Sequence, residues 1–187
     1  MLVFLDFEAS SLAKRSYPIE VAWVFADGRS ESHLIPPAPD WTDWDVGAEA
    51  LHGIHRRTLL LEGSSCKEVA RRMMDVLTGH DLLASAPSWD GKWLSALLRA
   101  ADLPRHSLRL RRTDEALREC ALAILTPAVP QAELAAVVDA VVAAADGRTA
   151  GGSPAHRALP DAQAERARWL AVRTAARALA MERSGRV

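Results

Sequence analysis

Residues 2–8 read Leu-Val-Phe-Leu-Asp-Phe-Glu, an apolar run that ends in two carboxylates. A short run rich in β-branched and aromatic residues is typical of a buried strand, which is predicted over Leu2–Phe7. Side chains two apart on a strand share a face, so Asp6 and Glu8 project together. Two such carboxylates repel each other unless a cation or a donor lies nearby. The run therefore predicts either a solvated strand end or a site for a hard cation such as Mg²⁺ or Mn²⁺.

The rest of the chain alternates strand and helix patterns. A second apolar run, the tight-turn pair Asp27-Gly28 and a third run predict an antiparallel meander at the start of the sheet. The predicted strands after the first are Ile19–Ala26, Ser30–Ile35, Asp81–Ser85 and Leu108–Leu110. The predicted helices run from a Ser64-Ser65 cap to Thr78, and over Ser88–Ala101, Thr113–Leu125, Gln131–Ala145 and Asp161–Met181. Loops are predicted over Pro36–Asp45 and, as a mobile segment, over Asp146–Pro154. This order predicts a mixed five-stranded sheet with helices on both faces.

Length and composition limit the class of protein. A chain of 187 residues is long enough for one domain, predicted to span residues 1–187, with a sheet buried under helices. The formal net charge of −1 argues against a protein that coats nucleic acid by bulk charge. Two cysteines without metal-ligand spacing indicate a reducing, cytoplasmic setting, and no apolar run is long enough to span a membrane.

Asp90 is a further candidate because it follows a predicted strand and opens a helix with an apolar face. A carboxylate there gains from free backbone N–H groups and from the helix dipole. Capping alone explains an aspartate at this position, and a role in a metal site explains it as well.

His156 and Asp161 flank the start of the last helix. Pro160 suits the first position of a helix and disfavours α geometry in the residue before it, which places His156 in the preceding loop. Both side chains can then reach one cleft. A histidine has the unperturbed pKa, about 6.5, to take a proton from water near neutral pH. Alone, however, His156 also fits an ordinary loop residue.

Together these segments resemble a known family. Asp6-Phe7-Glu8, Asp90 and the segment from His156 to Asp161 (His-Arg-Ala-Leu-Pro-Asp) are similar to the three motifs of the DEDDh 3′-to-5′ exonucleases, the superfamily of ribonuclease T and the proofreading subunit of bacterial DNA polymerase III. The resemblance extends from Leu2 to about Leu170. It includes the segments Pro18–Val24 and Leu51–Ile54, which resemble the family's second strand and its His-Gly-Ile segment.

The resemblance implies an α/β ribonuclease-H-like fold and a hydrolase for phosphodiester bonds. It implies that four acids, Asp6, Glu8, Asp90 and Asp161, bind two Mg²⁺ or Mn²⁺ ions, and that His156 is the general base. The substrate would be the single-stranded 3′ end of DNA or RNA, and the product a nucleoside 5′-monophosphate.

Further expectations concern the substrate pocket and the partners. The resemblance implies that Ser10, Leu12 and His52 line the pocket for the terminal nucleotide. Some members of the family form homodimers, and the apolar helices after Gln131 are compatible with one. Two alternatives remain open: a nucleic-acid-binding or scaffold protein with weak catalysis on the same fold, and a phosphodiesterase for small nucleotides.

Other features stand outside the motifs. The family often has an asparagine before the second motif, where this chain has Ala84-Ser85-Ala86-Pro87, and Pro160 is unusual within the third motif. The most basic local run, which contains Arg105, His106, Arg109, Arg111 and Arg112, fits either a solvated surface or a surface for the phosphate backbone. Among six tryptophans, Trp93 is predicted in the core, and Trp41 and Trp44 at the surface.

Overall fold

The computed structural model describes residues 1–149 and 156–184, with side chains over 1–145 and 156–184. The strands are β1 (Leu2–Ala9), β2 (Pro18–Phe25), β3 (Ser30–Leu34), β4 (Asp81–Ala84) and β5 (Leu110–Arg112). The helices are α1 (Val46–His52), α2 (Arg56–Glu62), α3 (Cys66–Leu77), α4 (Pro87–Ala100), α5 (Thr113–Leu125), α6 (Gln131–Thr149) and α7 (Ala158–Ser184).

The strands form one five-stranded sheet in the order β3-β2-β1-β4-β5. The pairs β1–β2 and β2–β3 are antiparallel, whereas β4 is parallel to β1 and β5 is parallel to β4. This arrangement confirms the predicted mixed sheet and the predicted meander. The carboxyl ends of β1, β4 and β5 therefore meet at one edge of the sheet.

Helices cover both faces of the sheet. Successive side chains of β1 point to opposite faces and pack against different sets of helices. Val3, Leu5 and Phe7 belong to one buried cluster together with residues of α3 and α4. Phe4 belongs to a second cluster, formed with residues of α5, α6 and α7. Even-numbered side chains of β1 thus face α7, and Asp6 and Glu8 continue that row.

Local sequence explains where the third helix begins and ends. Ser65 accepts a hydrogen bond from the backbone N–H of Glu68, and the Glu68 carboxylate accepts one in return from the Ser65 backbone N–H. This capping box confirms the predicted start of α3. Gly79, just after the C-cap Thr78, has a φ of +80°, which favours glycine and reverses the chain toward β4.

Several boundaries differ from the sequence prediction. β1 continues to Ala9 beyond the predicted end at Phe7, because pairing with β2 extends that far. β5 was predicted over Leu108–Leu110 and lies at Leu110–Arg112, because its register is set by pairing with β4; Leu108 is instead buried in the preceding loop. The short helices α1 and α2 were not predicted.

The end of the chain also differs in detail. α7 begins at Ala158, three residues before the predicted start, so Pro160 is the third residue of the helix and not the first. A proline is compatible with this position because the first-turn N–H groups have no partner within the helix. α6 continues through Thr149 into the segment predicted as a mobile loop, and residues 150–155 lie outside the described residues. No described helix combines the length and apolar character needed to cross a bilayer.

Candidate active site

The site begins at the carboxyl end of β1, where the alternation predicted from the sequence is observed. Asp6 and Glu8 are half-buried between the buried residues Leu5, Phe7 and Ala9. β2 pairs along this part of β1, with Asp6 opposite Ala22 and Glu8 opposite Glu20, so the two carboxylates are fixed on a central strand. They face α7.

α7 adds a third carboxylate to this pair. Asp161 lies in the first turn of the helix, and its backbone N–H donates to the Arg157 carbonyl, so the turn is formed at this position. One oxygen each of Asp6, Glu8 and Asp161 lies within 4.8 Å of the others. Residues more than 150 positions apart in the chain thus meet in one cluster with the spacing of a cation site.

Asp90 approaches the cluster from α4. β4 ends at Ala84 while β1 continues, so the N–H of Phe7 lacks a strand partner on that side, and the Asp90 carboxyl group lies against it. Asp90 is 2% exposed, and its Oδ2 atom has no hydrogen-bond partner within the part of the chain that the structure describes. Burial raises the pKa of Asp90 to about 7, although nearby backbone N–H groups oppose the shift. Asp90 is not the N-cap, which is Ala86.

Burial and mutual repulsion raise the pKa values of the carboxyl groups in this cluster. Burial, followed by the charges of Asp90, Glu8 and Asp161, raises the pKa of Asp6 to about 9. Burial and the charge of Asp161 raise the pKa of Glu8 to about 7, with Arg157 opposing them. Buried like charges at this separation are unfavourable unless protons or cations neutralise them. The oxygen ligands present fit a hard divalent cation.

His156 lies in the loop just before α7, as the sequence predicted. It is half-buried, and its φ of +47° places it in the left-handed region, which is uncommon for residues other than glycine. Burial lowers the pKa of His52, and His156 makes a smaller contribution in the same direction. Such backbone conformations often occur at functional sites, where the surrounding structure holds them.

An ion pair between the buried Glu20 and the partly exposed Arg157 fixes the start of α7, and sequence reasoning missed it. Glu20 of β2 is 2% exposed. Its carboxylate accepts from Arg157 Nε at 3.0 Å and Nη2 at 2.7 Å, and from the backbone N–H of Ala158 at 3.0 Å. Glu20 thereby caps the helix that carries Asp161. Its bonds to Arg157 also hold the loop that carries His156. The signal in the sequence was a glutamate within an otherwise apolar run. In the structure all eight residues of that strand are buried.

The three residues expected to line a nucleotide pocket have different surroundings. Ser10 is buried and its hydroxyl donates to Asp43 at 3.0 Å, while Leu12 is 72% exposed just beyond it. His52 is buried, and its Nδ1 accepts from the Ile54 backbone N–H at 3.0 Å. A neutral His52 ring therefore carries its proton on Nε2, which is buried and has no partner among the residues that the structure describes. Asp43, which also accepts from Ser11, was not predicted.

The structure also shows the surroundings of the tryptophans and of the basic run. Trp93 is buried as predicted, and Trp41 and Trp44 are half-buried rather than fully exposed. Trp41 stacks on Tyr17 with 5.0 Å between ring centroids. Two cations of the basic run are already paired: Arg111 with Asp81 and Glu119, and Arg112 with Asp114.

The sheet order and the helices on both faces define a ribonuclease-H-like α/β fold, which confirms the predicted fold class. Solved structures of exonuclease I share it. The zinc-ion-bound form of the Escherichia coli exonuclease I complex with single-stranded DNA aligns with a TM-score of 0.62 and 18% identity, over 89% of this chain and 38% of that chain. A second exonuclease I structure aligns with a TM-score of 0.62 and 16% identity, over 89% of this chain and 39% of that one.

A product-bound exonuclease I structure aligns less completely, with a TM-score of 0.53 and 17% identity over 64% of this chain. The chain thus spans less than two fifths of the length of the two exonuclease I chains that it matches over 89% of its own length. Neither a family model nor a curated protein matches the sequence. At sequence identities of 16–18%, the structural similarity to exonuclease I establishes the fold alone.

Proposed function

We propose that this chain is a 3′-to-5′ exonuclease that depends on divalent cations and releases nucleoside 5′-monophosphates from single-stranded 3′ ends. The activity would reside in a single domain, residues 1–187. The exonuclease I structures support the proposal, and one of them is a complex with single-stranded DNA. The observation that carries it is the convergence of the carboxylate oxygens of Asp6, Glu8 and Asp161 within 4.8 Å.

The residues present fit a pair of divalent cations. Asp6, Glu8 and Asp161 would supply clustered oxygen ligands, and Asp90 would add a buried Oδ2 atom that has no partner among the described residues. Four acids from three separate elements would hold the ions, and Mg²⁺ or Mn²⁺ matches this donor set. When bound, the cations would supply positive charge that stabilises both the attacking and the departing oxygen of the phosphodiester.

His156 would act as the general base. It precedes Asp161 by five residues, and Glu20 and Arg157 hold the loop and the helix start in place. The histidine would accept a proton from the water that attacks the terminal phosphorus. The bond from phosphorus to the 3′ oxygen breaks, so the shortened strand keeps a 3′-hydroxyl and the released nucleotide keeps its 5′-phosphate.

The residues around His52 would contact the terminal nucleotide. The Nε2–H group of His52 is buried and has no partner among the described residues, so it would donate to a substrate oxygen that enters beside it. The exposed Leu12 side chain offers an apolar surface on which a base can pack. Ser10 would act mainly by holding the loop after β1, because its hydroxyl is bonded to Asp43.

The experiment is digestion of matched single-stranded DNA and RNA oligomers, labelled at the 3′ or the 5′ end, with Mg²⁺ or Mn²⁺ and with chelator. With cation, the 3′ label should be released at once as a mononucleotide, while the 5′ label should shorten stepwise. Chelator, Asp6→Asn and His156→Ala should each reduce the rate by at least about 10²-fold, the usual contribution of a general base or an essential ligand.

Asp75→Asn is the matched control because Asp75 is exposed on α3, away from the cluster. It should digest like the unaltered chain. Binding of the label without shortening would instead indicate a binding or scaffold protein. Turnover restricted to dinucleotides would indicate a phosphodiesterase for small nucleotides. Either result would contradict the proposal.

A further inference from the structure

A groove runs beside the first two turns of α4, separate from the acidic cluster. It has a volume of about 450 Å³ and lies between α4 and the loop that leads into β5. Pro87, Gly91 and Ser95 line one side, and Arg105, His106 and Arg109 line the other. None of the described residues that line it is an aspartate or a glutamate. The groove is thus a positively charged surface on a chain whose net charge is −1.

The arginines of the groove are available to a ligand. Among the described side chains, those of residues 1–145 and 156–184, Arg105 and Arg109 form no salt bridge, and both residues are exposed. Arg111 and Arg112, which are close to them in sequence, are instead bound to carboxylates of this chain. Lys92, which also lines the groove, donates to the Ala13 carbonyl and to Ser16, so its ammonium group helps to hold the loop after β1.

The position of the groove relates it to the cluster of acids. Gly91 lines the groove and directly follows Asp90 on α4, and the Asp90 carboxyl group lies against the backbone N–H of Phe7. A strand whose last phosphodiester lies at the four acids would pass the start of α4, which carries both Asp90 and the lining residue Gly91, to reach the groove. Guanidinium groups without partners are well suited to phosphate oxygens, which they can bind in pairs.

We infer that this groove, lined by Arg105, His106 and Arg109, binds backbone phosphates of single-stranded nucleic acid upstream of the nucleotide being removed. The inference rests on the proposed function and makes it more specific, because it defines the substrate as an oligonucleotide rather than a single phosphodiester. The groove supplies binding and not chemistry. Its contacts are with the backbone, so they add affinity without sequence preference.

The test compares Arg105→Ala/Arg109→Ala with Arg71→Ala/Arg177→Ala, which removes the same charge from exposed positions on α3 and α7. Binding of a fluorescent twelve-residue oligothymidylate is measured by anisotropy in chelator at several salt concentrations. The groove variant should bind about tenfold more weakly, and the slope of log affinity against log salt should fall by about 1.4, or 0.7 for each lost phosphate contact. The control variant should bind within twofold of the unaltered chain.

A second substrate separates this inference from the proposed function. The p-nitrophenyl ester of thymidine 5′-monophosphate carries no upstream phosphate, so with Mn²⁺ both variants should hydrolyse it at the unaltered rate. If no protein hydrolyses the ester while the groove variant alone loses affinity, the groove is a binding site and the proposed hydrolysis is wrong. Equal affinity of the two variants for the oligothymidylate would overturn the inference.

Discussion

At the scale of single residues, Asp6 shows how the site depends on its surroundings. Burial and four neighbouring carboxylates raise its pKa to about 9, while the pKa values of Glu8 and Asp90 are each raised to about 7. These groups ionise freely when the chain is unfolded but not when it is folded. Without cations, the folded protein therefore loses stability as the pH rises from the unfolded pKa of Asp6, near 4, through its folded pKa, near 9.

Asp6→Asn tests this relation, because an amide of similar shape cannot ionise. In chelator the variant should melt at about the same temperature as the unaltered chain at pH 4–5. At pH 8 it should melt higher, by roughly 2–4 °C for each kcal/mol of relieved repulsion. Thermal unfolding followed by circular dichroism across this pH range measures the difference, which should grow steadily with pH.

Asp75→Asn again serves as the control, since an exposed aspartate should change the melting temperature by little at either pH. A variant at position 6 that melts below the unaltered chain at pH 8 would show that the Asp6 carboxylate stabilises the metal-free fold. That result would contradict the electrostatic account of the cluster.

At the scale of elements, the site depends on how the start of α7 is held against the sheet. The helix brings Asp161 to β1, and its first N–H group is bonded to Glu20 of β2. Arg157 completes the contact with two hydrogen bonds to the same carboxylate. Because Glu20 belongs to the buried strand β2 and Arg157 directly precedes α7, the pair fixes the start of the helix against the sheet as well as neutralising a buried charge.

Glu20→Gln should lower both stability and activity. The amide keeps the shape but loses the charge and half of the acceptor capacity, which costs about 1–3 kcal/mol for a buried charged hydrogen bond. We expect slower release of 3′ nucleotides, mainly through kcat, because Asp161 and His156 would be held less firmly. Denaturant unfolding gives the stability change, and single-turnover digestion gives the rate.

Glu31→Gln is the matched control. Glu31 accepts two hydrogen bonds from Arg72, but this pair is exposed at the edge strand β3. Its loss should cost less than about 1 kcal/mol and leave the digestion rate unchanged. If Glu20→Gln also leaves the rate unchanged, the Glu20–Arg157 pair does not position the site.

At the scale of the whole molecule, the sheet and its covering helices follow largely from sequence patterns. The alternation over residues 2–8 predicted correctly that Asp6 and Glu8 share a face, and helical periodicity predicted α3, α4 and α5 to within a residue or two. These features depend on local sequence, which is why they could be predicted. β5 was displaced because its position depends on pairing with β4, a contact between distant residues.

The site itself required more than local patterns. The spacing of residues in the sequence could not predict that Asp161 lies beside β1, because that contact depends on how α7 packs across the sheet. The resemblance to a family suggested the contact. The partner of Glu20 could not be identified from the sequence, because any of the arginines could have reached a buried acid. Which cations of the basic run are free likewise depends on tertiary contacts, such as that of Arg111 with Asp81.

The central claim is that four acids from distant parts of the chain form one site for two divalent cations. Calorimetric titration with Mn²⁺ tests it directly. The unaltered chain and Asp75→Asn should each bind two ions, whereas Asp6→Asn and Asp161→Asn should bind fewer ions or bind them at least about tenfold more weakly. The absence of binding to the unaltered chain, or the same two-ion isotherm in all four proteins, would contradict the claim.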